Sequence, residues 1–226
     1  MNPEIIRTKQ FVDTAVAYIE TAAKQAIGER GFFRLALSGG NTPRPVYKTI
    51  AQKDCQWAKW IITFGDERCV PPADEQSNFR MASESLLALA KPAEVYRIQG
   101  EIDPEQAATK YQDILHSLAT RFNETRYTHD LILLGLGGDG HTASLFPQTA
   151  ALQETQKDVV SNFVPKFNTY RITFTYPLIN AARRVAFLVN DPSKQSVINQ
   201  VLERGHGFPS ERIQPVNGEL VWLLGE

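Results

Sequence analysis

Apolar positions recur along this chain in two rhythms. Between residues 8 and 30, Phe11, Ala15, Tyr18, Ile19, Ala22, Ala26 and Ile27 fall mostly three or four places apart, which predicts an amphipathic helix ended by Gly31. Other stretches are apolar at most positions: residues 32–37, 60–64, 131–134, 185–189 and 220–224. Side chains on a strand point alternately to its two faces, so such a run predicts a strand covered on both. Residues 171–175 alternate polar with apolar and predict a further strand, and 95–98 and 159–164 are shorter candidates. Helical segments are expected near 46–51, from a Ser77-Asn78 cap to about 90, at 104–121 with Pro104 in the first turn, at 177–182, and from Asp191 to near Gly205. Strands and helices alternate, so the chain is expected to be α/β with a mostly parallel sheet.

Ligands of such sheets sit at the carboxyl ends of the strands, and glycines and titratable residues gather at three of these ends. The run 131–134 leads into Gly135-Leu136-Gly137-Gly138-Asp139-Gly140-His141. Glycine permits a sharp turn and close ligand approach, and Asp139 and His141 sit inside that turn. The segment also matches the G-x-G-x-x-G dinucleotide pattern. That pattern needs a packed helix and then an acid after the next strand, whereas here a histidine, a Ser-Leu-Phe-Pro break and a polar segment follow. After 32–37, Ser38-Gly39-Gly40-Asn41-Thr42-Pro43 leads into a helix. Free backbone N–H groups and the helix dipole make it either a phosphate cradle or a well-capped turn. After 60–64, Gly65-Asp66-Glu67-Arg68 places three charges at a strand end ahead of Pro71 and Pro72. Taken alone, Arg171 and Lys194 read as solvated surface charges.

The 226 residues suit one domain spanning 1–226. A formal net charge of −1 excludes a global basic field that would draw nucleic acid or anionic membrane, so any anion must be held by local groups. Cys55 and Cys69 lack metal or redox spacing and suggest a reducing compartment. No signal-peptide pattern is visible and no apolar run is long enough to span a bilayer. There is no H-x-x-x-H pair and no G-x-S-x-G elbow, which argues against a zinc site and against a serine hydrolase.

Four segments together resemble the 6-phosphogluconolactonase family: Ser38 to Pro43, Gly65 to Pro72 with Ser77-Asn78, Gly135 to Pro147, and Arg171-Ile172-Thr173. They keep the family's order over nearly the whole chain; the first is shared with the related glucosamine-6-phosphate isomerases. The resemblance implies a Rossmann-like α/β fold with helices on both faces of the sheet. It implies hydrolysis of 6-phospho-D-glucono-1,5-lactone to 6-phosphogluconate in the oxidative pentose phosphate pathway. It also implies a cytoplasmic enzyme, monomer or small homo-oligomer, with no metal, no organic cofactor and no nucleic-acid or membrane partner. By position, His141 matches the family's general base, and Ser38, Gly39, Gly40, Asn41 and Thr42 its phosphate-side loop. Arg171 and Lys194 match basic residues attributed to phosphate binding, and Asp66 and Arg68 the acid and arginine lining the site. One departure is Asp191, three places before Lys194, where the family has glycine; an acid there could pair with the lysine or repel phosphate.

The chemistry is compatible with that assignment. A lactone is an activated ester, so an aligned water, a base and a stabiliser of the oxyanion suffice. Neutral histidine accepts a proton near neutral pH, and either Asp139 or Asp66 could orient it. Two rivals share the fold. A sugar-phosphate isomerase or deaminase carries glutamate five places after the histidine, where this chain has Phe146. A sugar-sensing regulator carries a separate DNA-binding domain, for which the chain shows no basic recognition helix.

Overall fold

The structure, a computed structural model, describes residues 3–226. Strand β1 (Glu4–Thr8) precedes helix α1 (Phe11–Arg30). Sequence patterning does not reveal β1, because only Ile5 and Ile6 are apolar and Ile5 is exposed; pairing with the last strand makes it a strand. Helix α1 buries Phe11, Ala15, Ile19, Ala22, Ala26 and Ile27, the stripe its sequence predicts, and Gly31 closes it at φ 83°. That left-handed conformation is strained for any residue with a Cβ.

The chain continues through β2 (Phe33–Leu37), α2 (Pro43–Ile50), β3 (Trp60–Phe64) and β4 (Asp66–Arg68). Helix α3 (Asn78–Ala82) runs on through a wide π-type turn, Ser83–Leu87, into α4 (Ala88–Ala90). Then come β5 (Glu94–Val95), α5 (Pro104–Arg121), β6 (Leu131–Leu134), β7 (Val159–Val164), β8 (Thr169–Phe174) and α6 (Tyr176–Ile179). Strand β9 (Arg184–Val189), α7 (Gln195–Glu203) and β10 (Glu219–Gly225) complete it. The strand expected at 95–98 is only two residues long, Glu94–Val95, paired to β3 at the sheet edge.

Seven strands form one sheet in the order β1-β10-β9-β6-β2-β3-β5, and every pairing is parallel. All residues of β2, β3 and β6 are buried, so both faces of the central strands are covered. From β2 the chain builds outward to β3 and β5, then returns to place β6 on the other side of β2. The loops leaving β2 and β6 therefore diverge, and a crevice opens between them at the switch point.

A second sheet, β4-β8-β7, is antiparallel. Gly65 joins the two sheets: its N–H donates to the Leu37 carbonyl and its own carbonyl accepts from Phe174 N–H. The Asp66-Glu67-Arg68 segment is thus a short strand. Its three charges carry no strand pattern, and the ladder to β8 imposes one.

The two ends of the large sheet differ electrostatically. At the amino end, fully buried Asp130 pairs with Arg30 at 3.0 Å and Arg34 at 3.5 Å, and Arg34 reaches Glu124 at 2.9 Å. Those charges are neutralised within the protein. At the carboxyl end, Arg68, Arg171 and Lys194 have no carboxylate partner among the described residues. Among the described residues, no helix is long and apolar enough to cross a membrane.

Candidate active site

A cavity of about 270 Å³ lies at the carboxyl ends of β2, β3, β6 and β9. Its first wall is the loop after β2. Ser38 is anchored through its backbone, N–H to the Tyr47 hydroxyl and carbonyl from it, both at 3.0 Å. Gly40 turns at φ 94°, and Thr42 begins α2 with no side-chain cap. Among the described residues, none of the N–H groups of Gly39, Gly40, Asn41 and Thr42 donates to a protein acceptor, and the buried Ser38 Oγ is likewise unpartnered. Several unspent donors at a helix start form an anion cradle. Gly39 lies tight against Asn78: a Cβ there would lie 1.8 Å from the Asn78 side-chain oxygen.

The second wall is the Gly-rich turn after β6. It folds back on itself, Gly137 N–H donating to the His141 carbonyl at 2.9 Å and Gly140 N–H to the Gly137 carbonyl at 3.0 Å. A Cβ on Gly137 would sit 2.0 Å from His141 Nδ1, so the glycine makes room for the ring. His141 Nδ1 is hydrogen-bonded to Asp139 Oδ1. The other oxygen of Asp139 accepts from Lys166 at 3.0 Å. Burial would raise the Asp139 carboxyl, but the hydrogen bonds from His141 and Lys166 outweigh it and hold the group well below the usual carboxylate range. Phe146 stacks on the imidazole, centroids 4.0 Å apart.

The third wall comes from β4. Asp66 is buried; Ser144 Oγ donates to its Oδ2 at 2.6 Å, and the Asn78 amide to its Oδ1 at 3.2 Å. Asp66 therefore faces the cavity without touching His141. Glu67, its neighbour, points the other way and accepts from Asn78 N–H at 2.7 Å and Phe79 N–H at 2.8 Å, fastening the start of α3. Arg68 lies opposite Arg171 in the β4–β8 register. Burial first, and then the facing Arg68, keep the Arg171 guanidinium below its ordinary value. Two like charges side by side without a carboxylate favour an anionic ligand.

The structure brings Ser38, Gly39, Gly40, Asn41, Thr42, Asp66, Arg68, His141 and Lys194 together around one cavity. Asp139 bonds His141 and Arg171 faces Arg68 across the β4–β8 ladder, and neither lines the cavity itself. Asp191 and Lys194 both line it, yet they form no ion pair. The Asp191 carboxylate instead accepts from Ser193 N–H at 2.9 Å, capping the turn that leads into α7. Sequence reasoning did not single out Ser144 or Lys166. Ser144 could have been suspected from its place in the Gly135–Pro147 motif; Lys166 carries no local signal, since only folding brings β7–β8 to the Gly-rich turn.

A family model described as glucosamine-6-phosphate isomerases/6-phosphogluconolactonase matches residues 7–222. The chain is 40% identical to a 6-phosphogluconolactonase of Synechocystis, covering 98% of this chain and 94% of that one. It is also 40% identical to a 6-phosphogluconolactonase of Nostoc, covering 94% and 88%. The crystal structure of 6-phosphogluconolactonase from Thermotoga maritima superposes over 100% of both chains with a TM-score of 0.88 at 27% identity. A family match over nearly the whole length, together with relatives this similar, shows that the chain belongs to the glucosamine-6-phosphate isomerase/6-phosphogluconolactonase family.

Proposed function

We propose that the protein hydrolyses 6-phospho-D-glucono-1,5-lactone to 6-phosphogluconate, in the oxidative pentose phosphate pathway, with His141 as general base. The observation that carries this reading is the His141–Asp139 pair set across one cavity from the unspent N–H groups of residues 39–42. Ionised Asp139 accepts the Nδ1 proton, leaving Nε2 to take a proton from water. The water oxygen bonds to the lactone carbonyl carbon, and the resulting oxyanion is stabilised by donors of the site, with Arg68 as the candidate. Collapse breaks the bond to the ring oxygen, which receives the proton from the imidazolium. Phosphate is held by the Ser38–Thr42 loop, with Lys194 and the Arg68–Arg171 pair supplying charge. Asp66, fixed by Ser144 and Asn78, is suited to accept from substrate hydroxyls.

The test is kcat on freshly prepared lactone, corrected for spontaneous hydrolysis, for wild type and His141→Ala. Loss of a general base typically costs about 10²–10⁴-fold. A variant with wild-type kcat would remove His141 from the mechanism, and a wild type without turnover would remove the lactonase reading.

A further inference from the structure

The β7–β8 hairpin reaches the His141–Asp139 pair from the second sheet, and the mechanism above makes no use of it. Its tip is the tight turn Pro165–Phe167. Two adjacent tip residues meet the pair by separate routes. Lys166 Nζ lies 3.0 Å from Asp139 Oδ2, the oxygen that does not face the imidazole. Phe167 meets Phe146 edge to face with centroids 5.7 Å apart, and Phe146 in turn is stacked on His141. The Lys166 side chain is 59% exposed. An ion pair that open contributes little to folding.

Its position nonetheless matters for the pair. Asp139 stands between Gly138 and Gly140, on a turn with little side-chain packing of its own. Its Oδ1 accepts from Nδ1 and from the His141 N–H at 3.3 Å, so within the turn it is held by His141 alone, and Lys166 adds an anchor from outside it. The geometry points to the hairpin tip as a positioning element for the candidate catalytic pair: Lys166 pins the outer oxygen of Asp139, and Phe167 braces the ring on which the imidazole rests. This inference rests on the reading of His141 as base.

The tip also gathers cations: Lys166 Nζ and the Arg171 guanidinium each lie 5.6 Å from the centroid of the Phe167 ring. Lys194, Asp191, Asp66 and Arg68, which line the cavity, stay in place in every variant below.

The experiment measures kcat and KM separately for lactone hydrolysis by the full chain at the pH of maximal activity, with 6-phosphogluconate binding measured in parallel. Lys166→Met should lower kcat about threefold, because an unpinned Asp139 lets the imidazole leave its working orientation. Binding of 6-phosphogluconate should stay unchanged, and Lys166→Arg should restore the wild-type kcat. Phe167→Ala should also lower plateau kcat, by loosening the ring on which the imidazole rests. A wild-type kcat in Lys166→Met, or a loss that appears only in KM, would overturn the role of Lys166. An unchanged plateau in Phe167→Ala would overturn the bracing role. Failure of the lactonase reading would show separately, as absence of turnover in the wild type.

Discussion

Phe146 is a position where this chain departs from the isomerase pattern of its family. It is buried, stacked on His141, and stands where the isomerase pattern has glutamate. Isomerisation of glucosamine 6-phosphate needs ring opening and then proton movement between C1 and C2, which demands an acid–base group beside the histidine. A phenyl ring can neither give nor take a proton; here it orients the imidazole and keeps water from its face. Phe146→Glu would put a carboxylate into an apolar stack, where it is poorly solvated. We expect the variant to lose at least about tenfold in lactone kcat through the displaced base. We also expect no ammonia release from glucosamine 6-phosphate, assayed directly, because one acid does not reshape the rest of the pocket. Deamination at a rate comparable to lactone hydrolysis would show that this single position sets the reaction.

Among the elements, the strand-loop-helix unit β2–α2 is the most constrained. Its loop and the first turn of α2 combine a left-handed Gly40, two prolines that lack N–H donors, and four donors directed at no protein acceptor among the described residues. Gly39 lies so close to Asn78 that any side chain must displace either the loop or the Asn78 amide. Gly39→Ala should fold, since the obstructing atoms belong to a side chain. It should weaken 6-phosphogluconate binding by about tenfold, the worth of one charge-assisted hydrogen bond. The loss should be smaller for gluconate, which offers the cradle no phosphate. Equal losses in calorimetric titrations would assign the loop to the sugar rather than to the phosphate.

For the molecule as a whole, the buried titratable groups set the acid limit of stability. His129 is fully buried, its Nε2 at 2.9 Å from Thr63 Oγ1 and its ring packed between Tyr127 and Phe174. Burial, and secondarily Arg34, push its pKa down from 6.5 to about 3. Below 6.5 the unfolded chain takes up a proton that the folded chain refuses, so stability falls as pH drops from 6.5 towards about 3 and is unaffected above. At about pH 5 the cost is about 2 kcal/mol. His129→Gln can keep the hydrogen bond to Thr63 without the titration. Between about pH 7 and about pH 5 it should therefore lose about 2 kcal/mol less stability than wild type in urea unfolding. Parallel losses in the two proteins would place the acid sensitivity elsewhere, with the Asp130 cluster the next group to examine.

The chain by itself determined its class and the address of its site. Runs apolar at successive positions, such as 131–134, report burial on both faces, and a strand so buried belongs to a parallel sheet. Glycines clustered after such runs marked the strand ends where a ligand approaches, and His141 was legible because a titratable residue stood within that cluster. Composition could not say which acid serves it: Asp139 and Asp66 were equal candidates until the turn set Asp139 on Nδ1 and the Ser144 and Asn78 bonds held Asp66 elsewhere. Edge elements escaped the reading for a related reason. Strands β1 and β4 exist through ladders to β10 and β8 rather than through patterns of their own. Arg171 and Lys194 looked like surface charges because an exposed cation and a ligand-facing one have the same local sequence. Their lack of carboxylate partners among the described residues, the facing of Arg68 and Arg171, and the arrival of Lys166 beside Asp139 all depend on contacts between distant segments. Local periodicity reports which side of an element is buried, and only tertiary packing decides which charges are left unpaired and what stands opposite them.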